Sequence, residues 1–175
     1  IFPCHLDSDG HIDLLLLSSR EAGQLLLNNG MGTLTLVGTE SAIRKSMLLE
    51  KNRSRVGSGD IDGDGSPELL IAGKGMIRAL KWFKGNLQVV EQFNSSDSQA
   101  ELLCPILQDV DSDGEIEMIY FTEDHWEVLK RSQDGIFEKT GEIEEGTRVP
   151  QLAYPFTLDE KKGFYSLCSS GIDVI

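Results

Sequence analysis

Basic residues, histidine, cysteine and long apolar runs are all scarce in this 175-residue sequence, and each shortage excludes something. Sixteen Lys and Arg stand against 29 Asp and Glu, a formal charge of −13 at pH 7. A chain so acidic lacks the basic face on which counterion-release binding depends, so nucleic acid and anionic membrane surfaces are not expected partners, and cations are the natural counterpart. The greasiest stretches, Leu14 to Leu17, Leu25 to Leu27 and Leu69 to Ala72, stop far short of the roughly 18 apolar residues of a membrane span, and no membrane insertion is expected. Cys4, Cys104 and Cys168 include no Cys-x-x-Cys pair to suggest zinc or redox work; the expected role is that of buried small hydrophobes, with one bridge between two of them the alternative. Of three histidines, His5 and His11 fall inside an acidic segment and His125 stands apart. No Gly-x-Ser-x-Gly, His-Glu-x-x-His, phosphate loop or dinucleotide fingerprint occurs, so catalysis has no support in the sequence.

What is present is a repeat. Asp7-Ser-Asp-Gly-His-Ile-Asp13-Leu, Asp62-Gly-Asp-Gly-Ser-Pro-Glu68-Leu and Asp111-Ser-Asp-Gly-Glu-Ile-Glu117-Met superimpose without a gap. A degraded fourth copy begins at Pro155-Phe-Thr-Leu-Asp159, which matches Pro3-Cys-His-Leu-Asp7. Polar turns recur in the second half of the unit at Asn28-Asn-Gly30, Lys84-Gly85-Asn86 and Asp134-Gly135, and such Asx-Gly pairs tolerate the positive φ of tight hairpins.

The first unit reads as an apolar stretch before the acidic loop followed by strands over Ile12–Leu17, Gln24–Leu27 and Thr33–Val37. The third reads likewise, with strands over Leu102–Leu107, Ile116–Thr122, Trp126–Lys130 and Phe137–Ile143. Four short antiparallel strands in a repeat of roughly 40–50 residues are the signature of a propeller blade. The expected fold is therefore all-β, a β-propeller with about three and a half blades in this chain. Blade 1 spans about 1–39, a helical or irregular connector about 40–52, blade 2 about 53–97, blade 3 about 98–146 and a partial blade 4 about 147–175. A closed ring needs at least four blades, so the remaining blades are expected from a longer chain or another subunit.

The acidic loops carry the chemistry. In the second unit Asp60, Asp62, Asp64 and Glu68 take loop positions 1, 3, 5 and 9, Gly65 takes position 6, and Ser66 offers a backbone carbonyl at position 7. Carboxylates crowded this closely repel one another unless a hard cation lies between them, and an all-oxygen set suits Ca²⁺. Asp109, Asp111, Asp113 and Glu117, with Glu115 at position 7, repeat the set in the third unit. The first has Asp7, Asp9 and Asp13, with His11 at position 7 but His5 at position 1, which predicts weaker or altered occupancy. The fourth has Thr157, Asp159, Lys161 and Tyr165, and a lysine where a carboxylate belongs predicts no binding. An EF-hand would need Glu at position 12 and flanking helices; Ile71 and Tyr120 stand there instead, inside apolar runs that read as buried strands. The competing plain reading is a solvated Asp/Gly turn, which has no need of the acid at position 9.

Gly59-Asp-Ile-Asp-Gly-Asp-Gly-Ser-Pro-Glu-Leu-Leu-Ile71, Gln108-Asp-Val-Asp-Ser-Asp-Gly-Glu-Ile-Glu-Met-Ile119 and Leu27-Asn-Asn-Gly-Met-Gly-Thr-Leu34 resemble the FG-GAP/VCBS repeats, the calcium-loop blades of integrin α heads and many secreted bacterial proteins. The Phe-Gly-Gly-Ala-Pro element that names the family is replaced by Arg55-Val-Gly-Ser-Gly59. The resemblance implies a propeller with Ca²⁺ at the loop positions above, and ligand recognition or surface interaction as its role. The function expected is thus a non-catalytic, calcium-stabilised scaffold for a protein or glycan ligand. The alternative is the supporting part of a propeller enzyme acting on polysaccharide, a lyase or hydrolase with its catalytic residues elsewhere. Millimolar extracellular Ca²⁺ would fill such loops, which favours an extracellular, cell-surface or periplasmic location. Trp82, Trp126 and His125 are the aromatic candidates for ligand contact; the other reading of the tryptophans is packing between blades.

Overall fold

A computed structural model describes residues 1–7, 9–17, 23–37, 53–144, 148–158 and 161–175. Strands β1 (Phe2–Cys4), β2 (Asp13–Leu16), β3 (Gln24–Asn28) and β4 (Leu34–Val37) form one antiparallel meander. After a 3₁₀ turn at Arg53–Arg55, β5 (Val56–Gly59), β6 (Glu68–Ala72), β7 (Met76–Phe83) and β8 (Asn86–Asn94) form a second. The third holds β9 (Leu103–Gln108), β10 (Glu117–Thr122), β11 (His125–Arg131) and β12 (Phe137–Ile143). A fourth sheet has three strands, β13 (Pro150–Leu158), β14 (Lys161–Cys168) and β15 (Gly171–Val174). The four sheets stand in a ring as the blades of a β-propeller. The expected connector at about 40–52 lies outside the described residues. No helix among the described residues is long and apolar enough to cross a membrane.

Alternation along the second strand of each blade builds the core. Leu69 and Ile71 of β6 pack towards blade 1 with Phe2, Cys4, Leu6, Leu15 and Leu25, while Leu70 and Ala72 join Met118 and Tyr120 of blade 3. On β10 those two residues face blade 2, and Ile119 and Phe121 face Ala153 and Phe164 of blade 4. A strand buried on both faces reads as a continuous apolar run, which is why Glu68–Ala72 and Glu117–Thr122 show no polar alternation. Each such Leu or Ile contributes about 1.5–3 kcal/mol by its burial. Leu152 of β13 joins the cluster between blades 1 and 2, tying the last blade back to the first. All three cysteines are free and buried, and burial pushes the Cys4 and Cys104 thiols up to about 12.

The first strands, β1, β5, β9 and β13, line an axial cavity of about 320 Å³ with Pro3, Gly57, Pro105 and Tyr154 among its walls. Inner strands are crowded there: a Cβ at Gly57 would lie 1.9 Å from the Pro105 carbonyl oxygen, so only glycine fits. Lys84 and Gly85 both have positive φ (49° and 84°) and form a two-residue link from β7 to β8, as expected of that hairpin turn.

The fourth repeat departs from expectation. Pairing of β13 with β14 continues through Thr157↔Lys162 to Leu158↔Lys161, whereas the other blades have an acidic loop between their first and second strands.

Candidate metal centres

Loops 1, 2 and 3 join the first and second strands of their blades at one register, since Cys4↔Asp13, Gly59↔Glu68 and Gln108↔Glu117 are paired residues. Position 9 is therefore the first residue of the second strand, and its acid is buried in each of these three blades: Asp13, Glu68 and Glu117. In all three, one oxygen of that acid accepts the position-2 amide: Leu6 N to Asp13 Oδ2 at 2.8 Å, Ile61 N to Glu68 Oε2 at 2.9 Å, Val110 N to Glu117 Oε2 at 2.8 Å. The acid thus latches the start of the loop to its end, a task a generic turn does not require.

Positions 3 and 5 hold the turn from within. Asp7, Asp62 and Asp111 each accept the amide two residues on, from Asp9, Asp64 and Asp113, at 3.1–3.3 Å. Those aspartates in turn accept from His11, Ser66 and Glu115, each at 2.8 Å. At position 1, Asp60 accepts Gly63 N and Gly65 N, both at 2.7 Å, and Asp109 accepts Gly114 N at 3.1 Å. Gly65 and Gly114 sit at φ 84° and 92°, the left-handed backbone that position 6 needs.

Asp60 takes a backbone amide on each oxygen, whereas Asp62, Glu68, Asp111 and Glu117 each leave one oxygen off the backbone. Asp60, Asp62 and Glu68 bring ligand oxygens within 4.8 Å of one another, and so do Asp109, Asp111 and Glu117. Buried Asp109 Oδ1 and Glu117 Oε1 have no hydrogen-bond partner among the described residues, and no backbone amide reaches Glu68 Oε1, whose neighbour is the Lys81 ammonium at 3.0 Å. An unpaired buried carboxylate oxygen is costly, and burial accordingly pushes the Glu68 and Glu117 carboxyls above the usual range, against the amides of Ile61 and Val110. An all-oxygen cage with orphaned lone pairs fits a hard divalent cation such as Ca²⁺.

Loop 1 differs at that point. The shorter Asp13 takes Leu6 N on Oδ2 and Asn28 N on Oδ1, at 2.8 and 2.9 Å, so neither oxygen is left over. His5 lines the axial cavity, and the His11 ring lies against Gly30, where a Cβ would come within 2.1 Å of Nε2.

The lysines of the loops had no place in the sequence reading. Lys81 Nζ lies 3.2 Å from Asp62 Oδ2 and 3.0 Å from Glu68 Oε1 and also pairs with Asp64, whose carboxyl it holds below the usual range. Lys130 Nζ lies 3.2 Å from Asp111 Oδ2 and 3.7 Å from Glu117 Oε1 and pairs with Asp113. Lys162 of blade 4 reaches across to Asp109, again lowering that carboxyl. The signal was available: Lys81 and Lys130 each follow the position-3 aspartate of their own loop by 19 residues.

Of the aromatic candidates, Trp126 is fully buried between blades 3 and 4, edge-on to Phe121 at 5.3 Å and Phe164 at 4.6 Å. Trp82 packs on the cluster between blades 1 and 2, leaving Phe83 exposed. His125 sits beside Asp124, Glu127 and Glu142 on the outer half of blade 3.

Comparison with known proteins agrees with this architecture. Residues 5–71 match the family model of the FG-GAP-like repeat, from position 1 of loop 1 to strand β6. No curated protein matches the sequence. Among solved structures, the chain is similar in fold to one described as the crystal structure of BBS1N in complex with ARL6DN, soaked with lead, with a TM-score of 0.54 at 14% identity. That similarity covers 99% of this chain and 52% of the other, so the chain spans about half the length of the structure it matches.

Proposed function

We propose that this chain is a non-catalytic propeller scaffold for a protein or glycan ligand, with Ca²⁺ held in loops 2 and 3. The observation that carries the metal is the pair of equivalent carboxylate cages, in which buried Asp109 Oδ1 and Glu117 Oε1 have no hydrogen-bond partner among the described residues and buried Glu68 Oε1 has no backbone donor. Asp60, Asp62, Asp64 and Glu68 would hold one ion, Asp109, Asp111, Asp113 and Glu117 the other, with backbone carbonyls of Ser66 and Glu115 completing the shells. Loop 1, through Asp7, Asp9, Asp13 and His11, would be weaker because Asp13 is committed to two amides. Binding across a rigid ring of blades suits recognition, and the similar solved propeller is described in complex with a protein. Ca²⁺ at extracellular, cell-surface or periplasmic concentrations would keep such loops filled.

Thermal melts in EDTA and across a Ca²⁺ series, with calorimetric titration, test the reading. At a hundredfold excess over Kd each filled site should add about 2.7 kcal/mol of stability and raise Tm, and Glu68→Gln with Glu117→Gln should remove most of that gain. A melt unchanged by Ca²⁺ refutes it.

A further inference from the structure

The third strands of blades 2 and 3 carry a cation that the metal reading leaves unexplained. Lys81 in β7 and Lys130 in β11 occupy one structural position, and both ammonium groups reach into their own blade's loop. In blade 1 the strand register puts Leu27 of β3 at that position, because Leu14↔Leu26 corresponds to Leu69↔Leu80 and Met118↔Leu129. Lysine is thus present where position 9 is a Glu with only one oxygen on a backbone amide, and absent where Asp13 has both oxygens on backbone amides.

We infer that Lys81 and Lys130 are the resident cations of loops 2 and 3, tethered ammonium groups that neutralise the cages in the absence of metal and are displaced when a divalent ion enters. The displacement rests on the Ca²⁺ reading above; the neutralisation does not. Lys81 contacts the acids of positions 3, 5 and 9 together, the same carboxylates an ion would draw in. Lys130 lies within 3.7 Å of Glu115 and Glu117 besides Asp111 and Asp113. One ammonium among four carboxylates prevents the loop from bursting by self-repulsion, yet its three protons cannot satisfy the six to eight oxygens a Ca²⁺ ion collects. Glu117 Oε1 and Asp109 Oδ1 remain orphaned accordingly. Blade 4 contributes a further ammonium, Lys162 on Asp109, so that loop 3 is neutralised from both sides.

The test is the double variant Lys81→Met, Lys130→Met in the full chain, which keeps the alkyl stems and removes the charges. In EDTA its Tm should fall below wild type by several degrees, whereas its Ca²⁺ affinity by calorimetry should rise about tenfold per loop. Equal Tm in EDTA together with equal Ca²⁺ affinity overturns the inference. A lower Tm in EDTA with no Ca²⁺ binding by either protein supports the resident cations and removes the metal reading instead. Should the variant not fold, amine acylation of wild type followed by mass spectrometry decides. Lys81 and Lys130 should be protected in EDTA relative to exposed Lys74 and become reactive in Ca²⁺; labelling equal to Lys74 in EDTA overturns the proposal.

Discussion

Trp126 separates packing between blades from ligand contact on the surface, and the two make opposite demands on it. Its ring is fully buried, sealed by Phe121 from its own blade and Phe164 from the next. Truncation to alanine removes the largest side chain of that seam, and buried Trp→Ala changes cost about 3–5 kcal/mol, of which each lost aromatic pair supplies about 0.5–1.5. A domain of this size has about 5–15 kcal/mol in total, so Trp126→Ala should lower Tm by about 6–20 °C. Trp126→Phe should behave differently. The indole Nε1 is buried with no acceptor among the described residues, so phenylalanine removes an orphaned donor while opening a small cavity, and the net change should stay within about 1.5 kcal/mol. Urea unfolding followed by circular dichroism, at constant m, measures both. A loss below about 1 kcal/mol for the alanine variant would mean that the ring does not seal the seam.

Two further outcomes follow from local geometry. Gly57→Ala places a methyl against the Pro105 carbonyl, which is backbone and cannot swing aside, so urea unfolding should show a loss above about 2 kcal/mol; a neutral result would mean that β5 and β9 are not so close at the axis. At His125, burial of the imidazole opposes its charge, but Asp124, Glu142 and Glu127 outweigh it and hold the pKa above its ordinary value. That stabilisation is fully present below about pH 6.5 and is lost as pH rises through the folded value, so wild type should exceed His125→Gln in stability more at about pH 5.5 than at about pH 8.5; equal differences at both would refute it.

Repetition made most of the fold legible. The three gapless Asp-x-Asp-Gly segments fix where the first strand of each blade stops and the second begins, and the expected strands over Gln24–Leu27 and Phe137–Ile143 coincide with observed ones to within a residue. The period-2 rule requires at least one of Trp82 and Phe83 to point inward, and it is Trp82 that packs on the core while Phe83 is exposed. What escaped depended on tertiary partners. The fourth segment kept the apolar lead of the repeat, Pro155 to Leu158, but pattern matching cannot see that a strand without a loop to close will pair with its neighbour down to Leu158↔Lys161. Lys81 and Lys130 lie in strands well downstream of the loops, and only the fold brings them over acids 19 residues upstream. Trp126 and His125 are adjacent in sequence yet on opposite faces of β11, one in the seam and the other among carboxylates.

The difference between the loops comes down to one methylene. Asp13 and Glu68 latch the same amide from the same register position, and both are fully buried. The shorter side chain keeps its second oxygen near β3, where Asn28 N takes it, so loop 1 closes on backbone hydrogen bonds alone. In glutamate the extra carbon carries Oε1 past that amide and towards the acids of positions 1 and 3, where no backbone donor waits. A buried charge without a donor requires a cation, and the alternatives are a tethered ammonium or a divalent ion. Position 9, rather than the number of aspartates, therefore decides which loops need a cation and which merely turn.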